Sequence, residues 1–175
     1  MKIITPVEAH NYAVSHFPVF PEDWNITEHF SWNEVFKNEL KEYGCPSLDI
    51  FNTLLKSFTE FEKARVYIGK PFSITNCFRS DAHNKLLLKR YTDAKAKKLP
   101  PPNDKPAMHS SHVYGMAIDF NVVGMTPAQV RAKLLEGVNK GKLHLRIEAN
   151  RPTWSHIDTG NPFIKNYVWG MFNPN

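Results

Sequence analysis

Two histidines and one aspartate of this 175-residue chain stand in patterns that suit metal-assisted chemistry. His112 and Asp119 lie in the string Ser-Ser-His-Val-Tyr-Gly-Met-Ala-Ile-Asp at 110–119, and His156 lies in Trp-Ser-His-Ile-Asp at 154–158. Two imidazoles and one carboxylate leave one position open on a four-coordinate ion, which suits a zinc ion that activates water. A structural zinc site would normally close that position with a fourth protein ligand. The set therefore predicts a catalytic metal site.

The alternation of apolar and polar residues predicts how these side chains converge. Residues 116–122 are typical of a strand whose two faces carry Met116, Ile118 and Phe120 on one side and Ala117, Asp119 and Asn121 on the other. Gly115 permits a tight turn with positive φ, so His112 can fold back beside Asp119. In a last strand over 154–158, the functional face holds Trp154, His156 and Asp158.

Helical patterns dominate the first half of the chain, and strand patterns follow. Helices are predicted to begin near Pro6, Ser31, Ser47, Ser80 and Thr126. Strands are predicted over 71–75, 116–122, 143–147 and 154–158. This order predicts an α+β fold in which a small antiparallel sheet is covered on one side by helices.

Length and composition indicate one domain with a real core, because 42% of the residues are apolar. We expect residues 1–27 to form an N-terminal extension and the Pro/Lys-rich residues 93–107 to form a loop inserted within the domain. No apolar run is long enough for a membrane span, and the N-terminus lacks the features of a secretory signal. We therefore expect cytoplasmic synthesis. We also expect a monomer. Cys45 and Cys77 are too few for a disulfide scaffold.

The formal charge of +5 favours anionic partners such as nucleic acid, a membrane surface or an acidic cell-wall polymer. Much of the excess lies in a basic stretch over 85–105, with Lys85, Lys89, Arg90, Lys95, Lys97, Lys98 and Lys105. This stretch is also typical of a solvated helix face followed by a loop. No recognised nucleic-acid motif accompanies it, so nucleic acid ranks last among the partners.

The string at 110–119 resembles the signature of zinc D-alanyl-D-alanine carboxypeptidases and of the related L-alanyl-D-glutamate endopeptidases of phage endolysins, which share their fold with the hedgehog signalling domain. Upstream, Thr-Asn-Cys-Phe-Arg-Ser-Asp-Ala-His-Asn at 75–84 resembles the Ser-Gly-Tyr-Arg-Ser…His-Asn segment of this family, with Asn-Cys in place of Ser-Gly. Phe-Ser-Trp-Asn-Glu at 30–34 is similar to the Phe-Ser/Thr-x-x-Glu that often opens these domains. The resemblance covers roughly residues 28–160.

The resemblance implies a zinc metallopeptidase that hydrolyses an amide bond in peptidoglycan stem or cross-link peptides, as a D,D-carboxypeptidase or an endopeptidase. It implies that one zinc ion is bound by His112, Asp119 and His156. Arg79 would hold a substrate carboxylate or polarise the scissile carbonyl, which its planar fork of donors suits. The residues expected to orient the ligands or to line the substrate cleft are Ser110, Tyr114, Trp154 and Asp158.

The general base is the main departure from the family. Many members carry a glutamate three residues before the last histidine, where this chain has Thr153. The nearest upstream glutamate is Glu148, which a hairpin turn through 150–152 would return toward the metal. We assign Glu148 as the base, with Asp158 and His144 as alternatives.

Two readings of the function rank ahead of a nucleic-acid binder that would use the basic stretch 85–105. One is hydrolysis of cell-wall peptides, either by a phage lysis or virion enzyme acting in the host cytoplasm or by a bacterial enzyme that handles recycled wall peptides. The other is a zinc-containing module of the same fold that binds or assembles into a virion without turnover. The missing glutamate at Thr153 is the best support for the second reading.

Overall fold

The computed structural model describes residues 1–16, 19–101, 105–163 and 168–173. Within these ranges the chain has six α-helices, a five-stranded mixed sheet and a two-stranded sheet, which confirms the predicted α+β class. The helices are α1 Pro6–His16, α2 Trp32–Phe36, α3 Glu39–Tyr43, α4 Leu48–Ile68, α5 Asp81–Ala96 and α6 Pro127–Asn139, and a short 3-10 helix spans Ser111–Tyr114. The strands are β1 Lys2–Ile3, β2 Trp24–Asn25, β3 Phe72–Asn76, β4 Ala117–Val122, β5 Arg146–Glu148, β6 Ser155–Asp158 and β7 Gly170–Phe172.

The main sheet has the strand order β3-β4-β6-β5-β7, and its last pair is parallel. The prediction of an antiparallel sheet is therefore wrong at this edge. Because β6 is already flanked by β4 and β5, the next strand can join only an outer edge. The chain leaves β6 at the end of the sheet where β5 begins, since Asp158 pairs with Arg146. A strand that starts there beside β5 runs in the direction of β5.

The two faces of the sheet have different environments. One face enters the hydrophobic core, where Ile118, Ile147 and Ile157 are fully buried. Alternate residues of β4, β5 and β6 point to the other face, which carries Asp119, Glu148 and His156 among its polar side chains. The predicted alternation of apolar and polar residues along β4 and β6 is thus confirmed.

Side-chain caps start several of the helices at the predicted residues. Ser31 and Thr126 each form a capping box with the residue three positions later, and Ser80 accepts a hydrogen bond from the backbone of His83. Ser47 precedes α4 as expected, although its side chain makes no capping hydrogen bond. The apolar stripe of α4 is buried through Phe51, Leu54, Phe58 and Phe61, and the helix ends at the left-handed Gly69.

Two predicted boundaries differ from the observed ones by more than one residue. Helix α5 continues to Ala96, past the predicted start of the loop at 93, because the first of the clustered prolines is Pro100. Residues 102–104 of this predicted loop lie outside the described residues. The strand predicted over 143–147 begins only at Arg146, since the apolar residues before it pack into the core ahead of the strand.

The predicted N-terminal extension contributes to the fold. Strand β1 pairs in parallel with β2, and α1 packs against α4 with Ala9 and Ala13 buried. Residues 17 and 18 of this extension lie outside the described residues. Among the helices that the structure describes, none has the length and apolar character needed to cross a bilayer.

We expect Gly115→Ala to lower the free energy of unfolding more than Gly141→Ala. Both glycines have positive φ, at 68° and 66°, so alanine is strained at each by about 1 kcal/mol or more. At Gly115 the added methyl would also lie 2.9 Å from Cγ of the fully buried Leu54, whereas nothing lies within 4 Å at Gly141. Urea denaturation of both variants measures the difference, and equal losses would contradict the close-packing argument.

Candidate metal centre

The structure brings the three predicted ligands together. One ligand atom from each of His112, Asp119 and His156 lies within 4.8 Å of the others. Asp119 and His156 are direct partners in the register of β4 and β6, with Oδ1 of the aspartate 2.7 Å from Nδ1 of the histidine. His112 approaches from the 3-10 helix, and its Nε2 lies 3.4 Å from Oδ2 of Asp119. The predicted metal cluster therefore exists as a spatial group.

His112 is held with one ring nitrogen committed and the other available. The 3-10 helix that carries it ends at Gly115, whose φ of 68° turns the chain into β4. The Nδ1 atom lies 2.6 Å from the backbone carbonyl oxygen of Cys77. Because a carbonyl oxygen can only accept, Nδ1 carries a proton, and Nε2 is the nitrogen directed at Asp119. Nε2 is therefore the ring atom of His112 that could bind a metal.

His156 lies between carboxylates. Its Nδ1 faces Asp119, and its Nε2 lies 3.7 Å from Oδ2 of Asp158. Burial lowers the pKa of His156, but the hydrogen bonds and charges of Asp119 and Asp158 outweigh burial and raise it to about 10. A cation is thus stabilised at this position, and a metal ion would compete with the proton for it.

Asp119 remains a carboxylate despite its burial. Burial alone raises its pKa, but the charges and hydrogen bonds of His112 and His156 hold the pKa well below its usual range. The side-chain amide of Asn76 also donates to Oδ2 of Asp119, at 3.3 Å. An ionised oxygen ligand is therefore available between the two imidazoles.

Asp158 lies beside His156 and is itself held by an arginine. The Nε and Nη2 atoms of Arg146 donate to its two oxygens at 2.9 and 2.8 Å, and the guanidinium also lies 4.2 Å from the ring centre of Phe172. Burial raises the pKa of Asp158, but hydrogen bonds from His156 and Arg146 lower it overall. With both oxygens engaged by Arg146, Asp158 fits the orienting role better than the role of the base.

Glu148 lies beside the cluster on the neighbouring strand β5. It is 4% exposed, and its Oε2 is 4.0 Å from Nδ1 of His156. Its Oε1 accepts a hydrogen bond from Nε of Arg151. By contrast, His144 contacts Glu60 and Trp169 and is largely exposed. Of the three candidates for the base, Glu148 and the alternative Asp158 lie near the ligands, and the alternative His144 does not.

Arg79 lies close enough to the cluster for the charge of Asp119 to affect its pKa. Burial lowers the pKa of its guanidinium, and the charges of Asp119 and Glu39 act in the opposite direction. Its Nη1 donates to Oδ1 of Asn84 at 3.2 Å, and its backbone N–H donates to the carbonyl oxygen of His112. The side chain is half-buried, which suits a cation that meets a substrate at the edge of the site.

The three residues predicted to line a substrate cleft have different surroundings. Ser110 is buried just before the 3-10 helix. Tyr114 is half-buried, with its ring 5.6 Å from that of Phe163. Trp154 is half-buried beneath the guanidinium of Arg151, at 5.2 Å from the ring centre. Their binding of a substrate stays a prediction.

Three contributors to the site were missed from the sequence. Arg146 is on the same face as Glu148, and alternation along β5 could have identified it as a residue of the functional face. Asn76 occupies a position where the resembled family usually has serine. This difference could have drawn attention to Asn76, whose side chain contacts Asp119. The Cys77 carbonyl belongs to the backbone, so no side-chain type in the sequence could have indicated its contact with His112.

A second group of possible ligands is explained by its own contacts. In the part of the chain that the structure describes, Glu28, His29 and Glu62 also come close together on the surface. Glu62 accepts hydrogen bonds from the side chain of Thr27 and from the backbone and ring of His29. These contacts tether the loop to α4, so no metal is needed to account for the grouping.

Comparisons with protein-family models, with curated proteins and with solved structures find no match for this chain. The geometry of the cluster is therefore the basis for a functional proposal.

We expect Arg146→Met to destabilise the protein by about 3–5 kcal/mol, because it leaves the carboxylate of Asp158 buried without its arginine. Lys85→Met is the matched control, since it breaks the largely exposed pair with Asp81 and should change stability by less than about 1 kcal/mol. Urea denaturation compares the two variants. Similar losses would show that the Arg146–Asp158 pair contributes no more than a surface pair.

Proposed function

We propose that this protein is a zinc metallopeptidase with the hedgehog/DD-peptidase type of fold, hydrolysing an amide bond in peptidoglycan stem or cross-link peptides. The observation that carries the proposal is the convergence of His112, Asp119 and His156 with the carboxylate of Glu148 beside them. Two imidazoles, one carboxylate ligand and a nearby second carboxylate are the donor set of a hydrolytic zinc site. The substrate class is inferred from the resemblance of the string at 110–119 to the signature of zinc peptidases that act on peptidoglycan.

The residues present fit a zinc ion. Ligand bonds of about 2.0–2.1 Å at tetrahedral angles separate two donor atoms by about 3.3 Å. The distance of 3.4 Å between Nε2 of His112 and Oδ2 of Asp119 agrees with this value, whereas Nδ1 of His156 is closer, at 2.7 Å from Oδ1. The far nitrogens of the histidines face a backbone carbonyl and a carboxylate, as those of zinc ligands do.

The chemistry divides between the metal and the residues around it. When bound, zinc lowers the pKa of water toward about 7 and polarises a carbonyl group. Glu148 takes a proton from the attacking water and returns it to the leaving amine. Arg79 holds the substrate carboxylate or stabilises charge on the carbonyl oxygen. Asp158, fixed by Arg146, keeps the ring of His156 oriented.

The basic stretch 85–105 supplies a second element of the proposal, contact with anionic wall polymers. Lys85 and Lys89 pair with Asp81 and Asp93, while further cations follow toward the end of α5. The exposed positive charges are suited to a polyanion through long-range attraction. A phage enzyme, made in the host cytoplasm and acting at lysis or from the virion, fits such a substrate.

A non-catalytic module of the same fold is the second candidate. The observation that favours it is the pairing of Glu148 with Arg151, which engages one oxygen of the only glutamate that the described residues place within 4.0 Å of His156. Such a module would bind zinc and gain stability without cutting wall peptides. Turnover separates the two candidates.

We expect zinc-loaded wild-type protein to release new peptides from purified peptidoglycan, and His112→Ala to lose both zinc and this activity. The physical reason is that Nε2 of His112 is one of three ligand atoms. Mass spectrometry of the products names the bond, and His29→Ala, in the surface group, should retain zinc and activity. No released peptide from a wild-type chain that holds one zinc would favour the non-catalytic module.

We expect Glu148→Gln to keep the zinc and to lower the hydrolysis rate by about 100-fold or more, since the amide cannot take a proton. The amide oxygen can still accept from Arg151, so the local packing is preserved. Zinc per chain and the rate on a defined wall peptide are measured together. Undiminished hydrolysis would exclude Glu148 as the base and would leave the peptidase assignment standing.

A further inference from the structure

We propose that Arg151 is a positioning residue that fixes the carboxylate of Glu148 for proton transfer; this rests on the proposed function. The Nε of Arg151 donates to Oε1 of Glu148, and the other oxygen, Oε2, lies 4.0 Å from Nδ1 of His156. One oxygen is thus engaged by a cation, and the second faces the ligand cluster. Arg151 acts on the reaction through Glu148.

The fold holds Arg151 independently of the metal ligands. Its guanidinium lies over the ring of Trp154, with Cζ 5.2 Å from the ring centre. Its backbone carbonyl accepts a hydrogen bond of 2.6 Å from Nη1 of Arg131, which belongs to α6. The turn after β5 is therefore anchored to a helix that packs on the sheet, and the guanidinium is placed with it.

The burial of Glu148 is the reason why the position of Arg151 affects it. Glu148 is 4% exposed, so an ionised carboxylate there requires a compensating charge. A planar guanidinium provides that charge and also fixes the direction of the hydrogen bond. A buried carboxylate without such a partner would have neither the compensating charge nor a fixed direction. The hydrogen bond from Arg151 thus holds Oε1 in place. The oxygen that must exchange a proton is held toward the cluster before substrate arrives.

The pair has a counterpart across His156. On the Nε2 side, Arg146 holds Asp158, and on the Nδ1 side, Arg151 holds Glu148. Asp158 is engaged through both oxygens, whereas Arg151 engages Glu148 through Oε1. The difference suits two tasks, because the first carboxylate orients a ring and the second has to accept a proton.

The test measures kcat, KM and zinc content on a soluble wall peptide for Arg151→Met and Arg151→Lys. We expect Arg151→Met to keep one zinc per chain and to lower kcat about tenfold or more, with KM within about twofold of the wild type. Arg151→Lys should recover part of kcat, because an ammonium group can still donate to Oε1. Arg65→Met, which removes a half-buried arginine of α4, is the control and should leave kcat unchanged.

A second arm asks whether Arg151 acts through Glu148. In the Glu148→Gln background, Arg151→Met should change the residual rate by less than about twofold, since there is no base left to position. An equal loss in both backgrounds would overturn the proposal, as would loss of zinc or a rise in KM alone. Arg151→Lys carries the same comparison if Arg151→Met does not fold.

The outcomes also separate this inference from the proposed function. If the zinc-loaded wild type cuts no wall peptide, the peptidase assignment and the role of Arg151 in it fall together. If the wild type cuts and Arg151→Met cuts equally fast, only the role of Arg151 falls. A selective loss of kcat with Lys rescue supports both.

Discussion

The register between β4 and β6 is the constraint on which the rest of the site depends. It places Asp119 directly opposite His156, and it does so because Ile118 pairs with Ile157 on the face that enters the core. A slip of one residue would turn the polar side chains into the core and the isoleucines away from it. The same apolar pairs that stabilise the sheet therefore bring a carboxylate and an imidazole together on its other face.

Charge compensation on that face determines which groups remain available for chemistry. The carboxylates of Asp119, Glu148 and Asp158 surround His156. Because they are buried, the ionised form of each costs free energy unless a neighbouring group compensates its charge. Arginines neutralise the last two, while Asp119 faces the two histidines. His156 is also a cation here, because its carboxylate neighbours raise its pKa to about 10. Any metal ion bound at the cluster would have to take the place of the proton that His156 directs at Asp119.

The sequence predicted this site well where the information was local. The strand alternation at 116–122 and the glycine before it were enough to place His112 beside Asp119, and Glu148 was expected near the metal from the turn that follows it. The parallel direction of β7 could not be predicted, because it depends on which edges of the sheet are already occupied. Nor could the pairing of Arg146 with Asp158, since alternation assigns a residue to a face but does not identify its neighbour on the next strand.

Stability alone does not explain why buried ion pairs occupy this face of the sheet. Apolar residues of similar volume in place of Arg146 and Asp158 would be equally stable or more so, because burying two charges costs about as much as their attraction returns. Such a replacement would remove the carboxylate that lies 3.7 Å from Nε2 of His156 and helps to raise the pKa of this histidine. The pair therefore sets the charge and the surroundings of His156, which the packing of the sheet does not require.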